Sequence, residues 1–101
     1  MSYAPWAPPV DILRSPSYWC VKIELAGVCP DNIEISADGT ILTVRGDRRD
    51  TLLSHGFTYQ SLEINYSTFE RRIGLPFVID QSRISCQYQD GFLLIQIQST
   101  A

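Results

Sequence analysis

The sequence predicts an all-β protein, two antiparallel sheets packed face to face as a sandwich. Three observations carry this reading. Apolar residues recur at every second position rather than at helical spacing. β-Branched and aromatic residues cluster between turn signals. Two Asp-Gly pairs, Asp38-Gly39 and Asp90-Gly91, stand between alternating runs, which is among the strongest short-range hairpin signals. A length of 101 residues allows one domain with one modest core.

In chain order, residues 1–9 read as a short proline-rich extended arm. Val10 to Arg14 is a short strand stopped by Ser15-Pro16. Tyr18 to Ala26 alternates, with Trp19, Val21, Ile23 and Leu25 on one face and Tyr18, Lys22 and Glu24 on the other. Gly27 ends it, and Cys29-Pro30-Asp31 is a loop. Ile33 and Ile35 mark a brief strand that turns at Asp38-Gly39 into Ile41 to Gly46, where Leu42 and Val44 face inward. Asp47 to Gly56 is read as a loop, polar apart from Leu52 and Leu53. Phe57 to Tyr66 and Thr68 to Leu75 are two further strands, the second closed by Pro76. Phe77 to Gln81 connects to a last hairpin, Arg83 to Tyr88 and Phe92 to Gln98, with Leu93, Ile95 and Ile97 on one face. About eight short strands are too many for one flat sheet in so short a chain, hence two sheets.

Composition narrows the function classes. A net charge of −3 argues against nucleic-acid and anionic-membrane partners, both of which demand a basic surface. No apolar run approaches the roughly 20 residues of a membrane span. The N-terminus lacks the basic region and apolar stretch of a signal peptide, so a cytoplasmic location is expected and Asn65-Tyr66-Ser67 has no meaning as a glycosylation acceptor. Cys20, Cys29 and Cys86 match no zinc or redox spacing and are expected to be reduced thiols serving as small hydrophobes.

Catalytic signatures are missing as well. The single histidine, His55, lies in a polar loop, where a solvated side chain is the expectation. The glycines form no phosphate cradle, no Gly-x-Ser-x-Gly elbow frames a nucleophile, and the carboxylates sit in turns or on outward strand positions without calcium-ligand spacing. No enzyme activity, catalytic residue, metal or cofactor is therefore expected.

Several segments together resemble the α-crystallin domain of small heat-shock proteins. They are Val10-Asp-Ile, Tyr18 followed by Glu24-Leu-Ala-Gly-Val28, Pro30-Asp-Asn-Ile33, Thr40-Ile-Leu-Thr-Val-Arg-Gly46, Phe69-Glu-Arg-Arg-Ile-Gly-Leu-Pro76, and Ile84-Ser-Cys-Gln-Tyr-Gln-Asp-Gly-Phe-Leu93. The last is similar to the family's A-x-x-x-x-G-v-L signature, with Cys86 where alanine is usual, and Gly74 stands where the family is often basic. The likeness runs over residues 10–98, taken as the domain, with residues 99–101 a residual C-terminus. The long segment from Asp47 to Tyr66 looks like the prokaryotic and plant branch rather than the metazoan one.

The resemblance implies an immunoglobulin-like sandwich whose long loop carries an extra strand exchanged in a homodimer, and an ATP-independent holdase that binds partly unfolded proteins. Phe57 to Ile64, including Tyr59, Leu62 and Glu63, would be the donated strand, and Asp11, Ile12, Leu13 and Arg14 the acceptor. The family's buried arginine corresponds to Arg71, with Glu63 where its acidic partner stands; the alternative for Arg71 is a solvated strand arginine. A groove between the family's fourth and eighth strands, matched here by Ile33 and Ile35 on one lip and Ile84 and Cys86 on the other, would take apolar client segments or the Ile-x-Ile tail of a related subunit. The alternative for these four is ordinary core.

The sequence ends at Ala101 directly after its last strand, and Ile95-Gln-Ile97 lies inside that strand, so a tail motif is not expected in this chain. With a short N-terminal arm as well, the expected main species is a dimer rather than a large assembly. Competing expectations are a CS-domain-like co-chaperone adaptor, which would lack the long inserted strand, or another protein-interaction or carbohydrate-binding sandwich.

Overall fold

The computed structural model describes residues 6–50 and 52–98, with the backbone alone at residues 53 and 54. Among the described residues seven strands form two antiparallel sheets: β1 (Val10–Arg14), β2 (Tyr18–Glu24), β3 (Ile33–Asp38), β4 (Ile41–Asp47), β5 (Thr68–Gly74), β6 (Ile84–Gln89) and β7 (Phe92–Gln98). The larger sheet has the order β1-β2-β7-β6 and the smaller β3-β4-β5. No helix among the described residues is long and apolar enough to cross a membrane. The first five residues of the expected arm and the expected C-terminal residue stretch 99–101 lie outside the described residues.

Turn chemistry sets the registers. Gln89 pairs with Phe92 across the two-residue loop Asp90-Gly91. Both loop residues have positive φ, 55° and 82°, the combination of a type I′ turn whose twist matches that of the strands. Since side chains alternate with a period of two, this register puts Leu93, Ile95 and Ile97 on the inner face. All three are buried, as the alternation predicts.

Burial follows strand position. The central strands β2, β7 and β4 supply Val21, Ile23, Ile95, Leu42 and Val44, each fully buried between the sheets. Truncating one of these to alanine costs about 2–5 kcal/mol by lost transfer free energy and the cavity left behind. Inner-face residues of edge strands are different, because three strands cannot cover four. Ile33 and Ile35 of β3 and Ile84 of β6 are only half-buried, while Cys86 of β6 and Ile12 of β1 are exposed although they share the inner face with Ile95 and Val21.

The β5 edge is the exception, since Phe69 and Ile73 are buried there. The stretch Trp6–Pro9 crosses this edge as a strap. Trp6 makes a parallel bridge to Phe69, its N–H donates to the Thr68 carbonyl at 3.3 Å, and its ring meets the Phe69 ring edge-on at 5.5 Å. Pro8 is fully buried, and the Pro9 carbonyl accepts from the Glu24 N–H at 3.1 Å, fastening the strap to the larger sheet.

Two expectations need correcting. Phe57 to Tyr66 is not a strand within the single chain, which leaves seven strands among the described residues rather than about eight. A strand exists only through its pairing, and no edge of its own sandwich takes this segment. The cysteines are free thiols, as expected, but as small hydrophobes they lie outside the core: Cys29 is exposed just before the Pro30–Asn32 turn, Cys86 lies on an uncovered edge, and Cys20 is half-buried on the outer face.

Candidate functional site

The mismatch of four strands against three leaves a slot along one flank. Ile35, Ser36 and Ala37 of β3 form one lip, Ile84 and Cys86 of β6 the other, and Gln81 closes one end, around a cavity of about 240 Å³. Gln81 bridges the lips, its Nε2 donating to the Ala37 carbonyl at 3.3 Å. The start of β6 is held by Asp80, whose carboxylate accepts from the Ser82 N–H and hydroxyl at 3.0 and 2.7 Å. At the far end of β6 the Tyr88 hydroxyl donates to the Leu25 carbonyl at 2.8 Å. Both ends of the lip are pinned while its middle stays open.

Three of the four residues expected in the groove, Ile35, Ile84 and Cys86, line this cavity, and Ile33 lies further along the same face of β3. Desolvation raises the Cys86 thiol above its ordinary pKa of 9.0 in spite of its exposed surface. The thiol is therefore neutral at physiological pH and presents sulfur as an apolar contact.

The other flank presents β1. Among the described residues this strand pairs with β2 alone, so one row of its N–H and C=O groups has no strand partner there. Ile12 and Leu13 are 48% and 51% exposed there, flanked by exposed Asp11 and Arg14. Arg14 lies over the Trp19 ring at 5.3 Å.

The segment expected to be donated, residues 57–64, carries Phe57 at 60% and Ile64 at 57% exposure, with Tyr59 and Glu63 also exposed and Leu62 half-buried. Both of its roots are held. Asp50 accepts from the Tyr59 hydroxyl at 2.6 Å and from the Leu52 N–H at 2.9 Å, bonds that lower its carboxyl pKa. At the other root Arg48 donates twice to the Asn65 carbonyl, at 2.9 and 2.6 Å.

Arg71 sits half-buried on the inner face of β5 between Phe69 and Ile73, which excludes the fully solvated alternative. Its Nη1 donates to the Pro8 carbonyl at 2.7 Å. The expected pairing with Glu63 is not made within one chain: the ion pairs among the described residues are Arg45–Glu34, Arg49–Asp47 and Arg83–Asp80. Sequence reading missed Pro8 as the acceptor and Arg48 as the loop anchor. Backbone carbonyls leave no trace in side-chain pattern, and Arg48 stands in a run of charges that reads as solvated loop.

A four-on-three sandwich with one strapped edge, one bare edge, an apolar slot and a long loop outside both sheets is the arrangement that the α-crystallin resemblance implies. The chain belongs to the Hsp20/alpha crystallin family, whose model matches residues 11–101. It is 33% identical over 91 residues to small heat shock protein C4 of Rickettsia felis, covering 90% of this chain and 56% of that one. The chain thus spans a little over half the length of the curated relatives it matches. Among solved structures it is similar to hspA of Xanthomonas axonopodis (TM-score 0.80, 31% identity, 96% of this chain and 97% of that one). It is equally similar to a small heat-shock protein of Xylella fastidiosa (TM-score 0.82, 33% identity, 97% and 90%), for which a distinct high order structure is described.

Proposed function

We propose that this chain is the core of an ATP-independent holdase that works as a strand-exchanged homodimer and binds apolar segments of partly unfolded proteins. The observation that carries the reading is a bare strand edge and, in the same chain, a segment outside both sheets with Phe57 and Ile64 exposed, which do not meet. Residues 57–64 of one subunit would add to β1 of the other, and the twofold operation would satisfy both edges at once. Burying Phe57 and Ile64 against Ile12 and Leu13 supplies the hydrophobic drive. Glu63 of the partner subunit then lies within the reach expected for Arg71, whose single bond to Pro8 leaves guanidinium donors for a second acceptor.

Client capture falls to the slot between β3 and β6. An extended peptide with aliphatic anchors two residues apart fits Ile35 and Ile84 and adds backbone bonds along the open edges. The Ile-x-Ile tail of a related subunit has the same chemistry and would compete with clients. Capture is by burial, with no covalent step, and a cytoplasmic setting belongs to the same reading. The inserted loop favours this over a CS-domain-like adaptor.

Two measurements test it. Light scattering should give a dimer; a compact monomer, or a particle of a dozen or more subunits, overturns the exchange. A heat-labile enzyme incubated with substoichiometric amounts of the chain should aggregate more slowly, and unchanged aggregation removes the holdase activity.

A further inference from the structure

Arg48 uses every part of its guanidinium. Nε and Nη2 donate to the Asn65 carbonyl at 2.9 and 2.6 Å, and Nη1 donates to the Ala26 carbonyl at 3.2 Å. The plane lies over the Trp6 ring with Cζ 3.9 Å from its centroid. One side chain therefore touches the strap through Trp6, the root of the 57–64 segment through Asn65, and the turn after β2 through Ala26.

We propose that Arg48 is a coupling residue: docking of Trp6 on the β5 edge fixes the posture of the 57–64 segment, and undocking it weakens the dimer. The inference rests on the strand-exchange reading above. A planar cation can bond through its edge and stack through its face at the same time, which an ammonium group cannot do. With Trp6 in place the guanidinium is shielded from water on one side, and both the stacking and its bonds to Asn65 are stronger for it. With Trp6 gone the face is hydrated, the Asn65 carbonyl competes with water for its donors, and the segment samples more conformations. Ordering it against a partner then costs more.

Among the described residues the strap's outer end is held by one backbone bond of 3.3 Å, two ring contacts and the packing of Trp6 against the core, whereas its inner end is fastened by the Pro8 and Pro9 carbonyls. Peeling Trp6 uncovers Phe69 at the β5 edge, while the Pro8 and Pro9 contacts keep the inner end of the strap in place. Whatever engages the N-terminal arm would thereby regulate dimerisation at a distance.

The test uses the full chain. Trp6→Leu keeps apolar cover on Phe69 but removes the aromatic face; Arg48→Lys keeps the charge but removes the bridge. Each should raise the dimer dissociation constant about tenfold. The double variant should be no worse than either single one within about twofold, since both break one linkage. Trp6→Phe, which retains a ring face, should recover most of the affinity. Unchanged dissociation constants, or losses that multiply in the double variant, overturn the coupling. Amide exchange over residues 57–66 gives a second readout: Trp6→Leu and Arg48→Lys should accelerate it alike. If the unmodified chain is monomeric, strand exchange fails, and this exchange measurement alone decides the coupling, with unchanged protection overturning it.

Discussion

Arg71 on β5 and Pro8 in the strap are joined by a 2.7 Å hydrogen bond from the guanidinium Nη1 to the proline carbonyl. An inward-facing arginine is costly unless its donors are used, and a buried proline carbonyl needs a donor from outside its own segment. Each group answers the other. The bond also sets where the strap leaves the smaller sheet and enters the larger one, because Pro9 binds Glu24 one residue later.

Replacing Arg71 should therefore loosen the strap before it disturbs the core. Arg71→Ala leaves the buried Pro8 carbonyl without this donor and is expected to lower stability by about 2 kcal/mol, the range for bonds involving a charged group. Arg71→Lys should recover part of the loss. Chemical denaturation measures the change, and a difference within error would remove the structural role assigned to this bond.

Gly46 is the most tightly enclosed of the six glycines. A Cβ built there would lie 2.2 Å from the Asn32 carbonyl oxygen and 3.0 Å from Cζ of Phe69. One of these neighbours is backbone and the other a buried ring beneath the strap, so neither can yield cheaply. Gly46→Ala should cost about 3 kcal/mol, the upper range for overpacking. A lowered denaturation midpoint with an unchanged slope is the expected result.

Acid should release the loop root at Asp50. Bonds from the Tyr59 hydroxyl and the Leu52 N–H favour its charged form, placing the folded-state pKa below the ordinary 3.8. A lowered folded pKa means that the stabilisation is complete above pH 3.8 and disappears as pH falls through the folded value. Amide exchange over residues 52–59 should accelerate in that window and not at pH 5–7. Asp50→Asn should abolish the pH dependence of this effect; its persistence would assign the acid response to another group.

Cys86 offers a chemical reporter of the slot. Its raised pKa makes it slow to react with iodoacetamide at neutral pH, because the thiolate is the nucleophile. An Ile-x-Ile peptide that seats against Ile35 and Ile84 should slow the reaction further, while Cys29, in an exposed turn remote from the slot, should be unaffected. Equal labelling of Cys86 with and without peptide would argue against occupancy of the slot.

Much of this architecture is legible in the sequence because alternation is a local signal. The runs from Tyr18 and from Phe92 declare their inner faces, and Asp90-Gly91 declares the turn between β6 and β7. The slot residues Ile35, Ile84 and Cys86 were reachable through family resemblance, yet their exposure comes from how many strands oppose them, which no single strand encodes. Residues 57–66 carry β-type composition without a strand in the single chain, since composition states a preference and pairing requires an edge. The strap was legible only as proline-rich chain; its function depends on carbonyls of Pro8 and Pro9 that every residue type possesses.

Placing four strands opposite three creates an imbalance that no rearrangement inside the molecule can remove, because shifting cover to one flank strips the other. On the proposed function, adhesiveness would be a property of the strand arithmetic rather than of a few optimised side chains. Main-chain edges do not discriminate among amino acids, so on the proposed reading guests of unrelated sequence would be held by the same geometry, and point substitutions along the lips would retune grip without abolishing it.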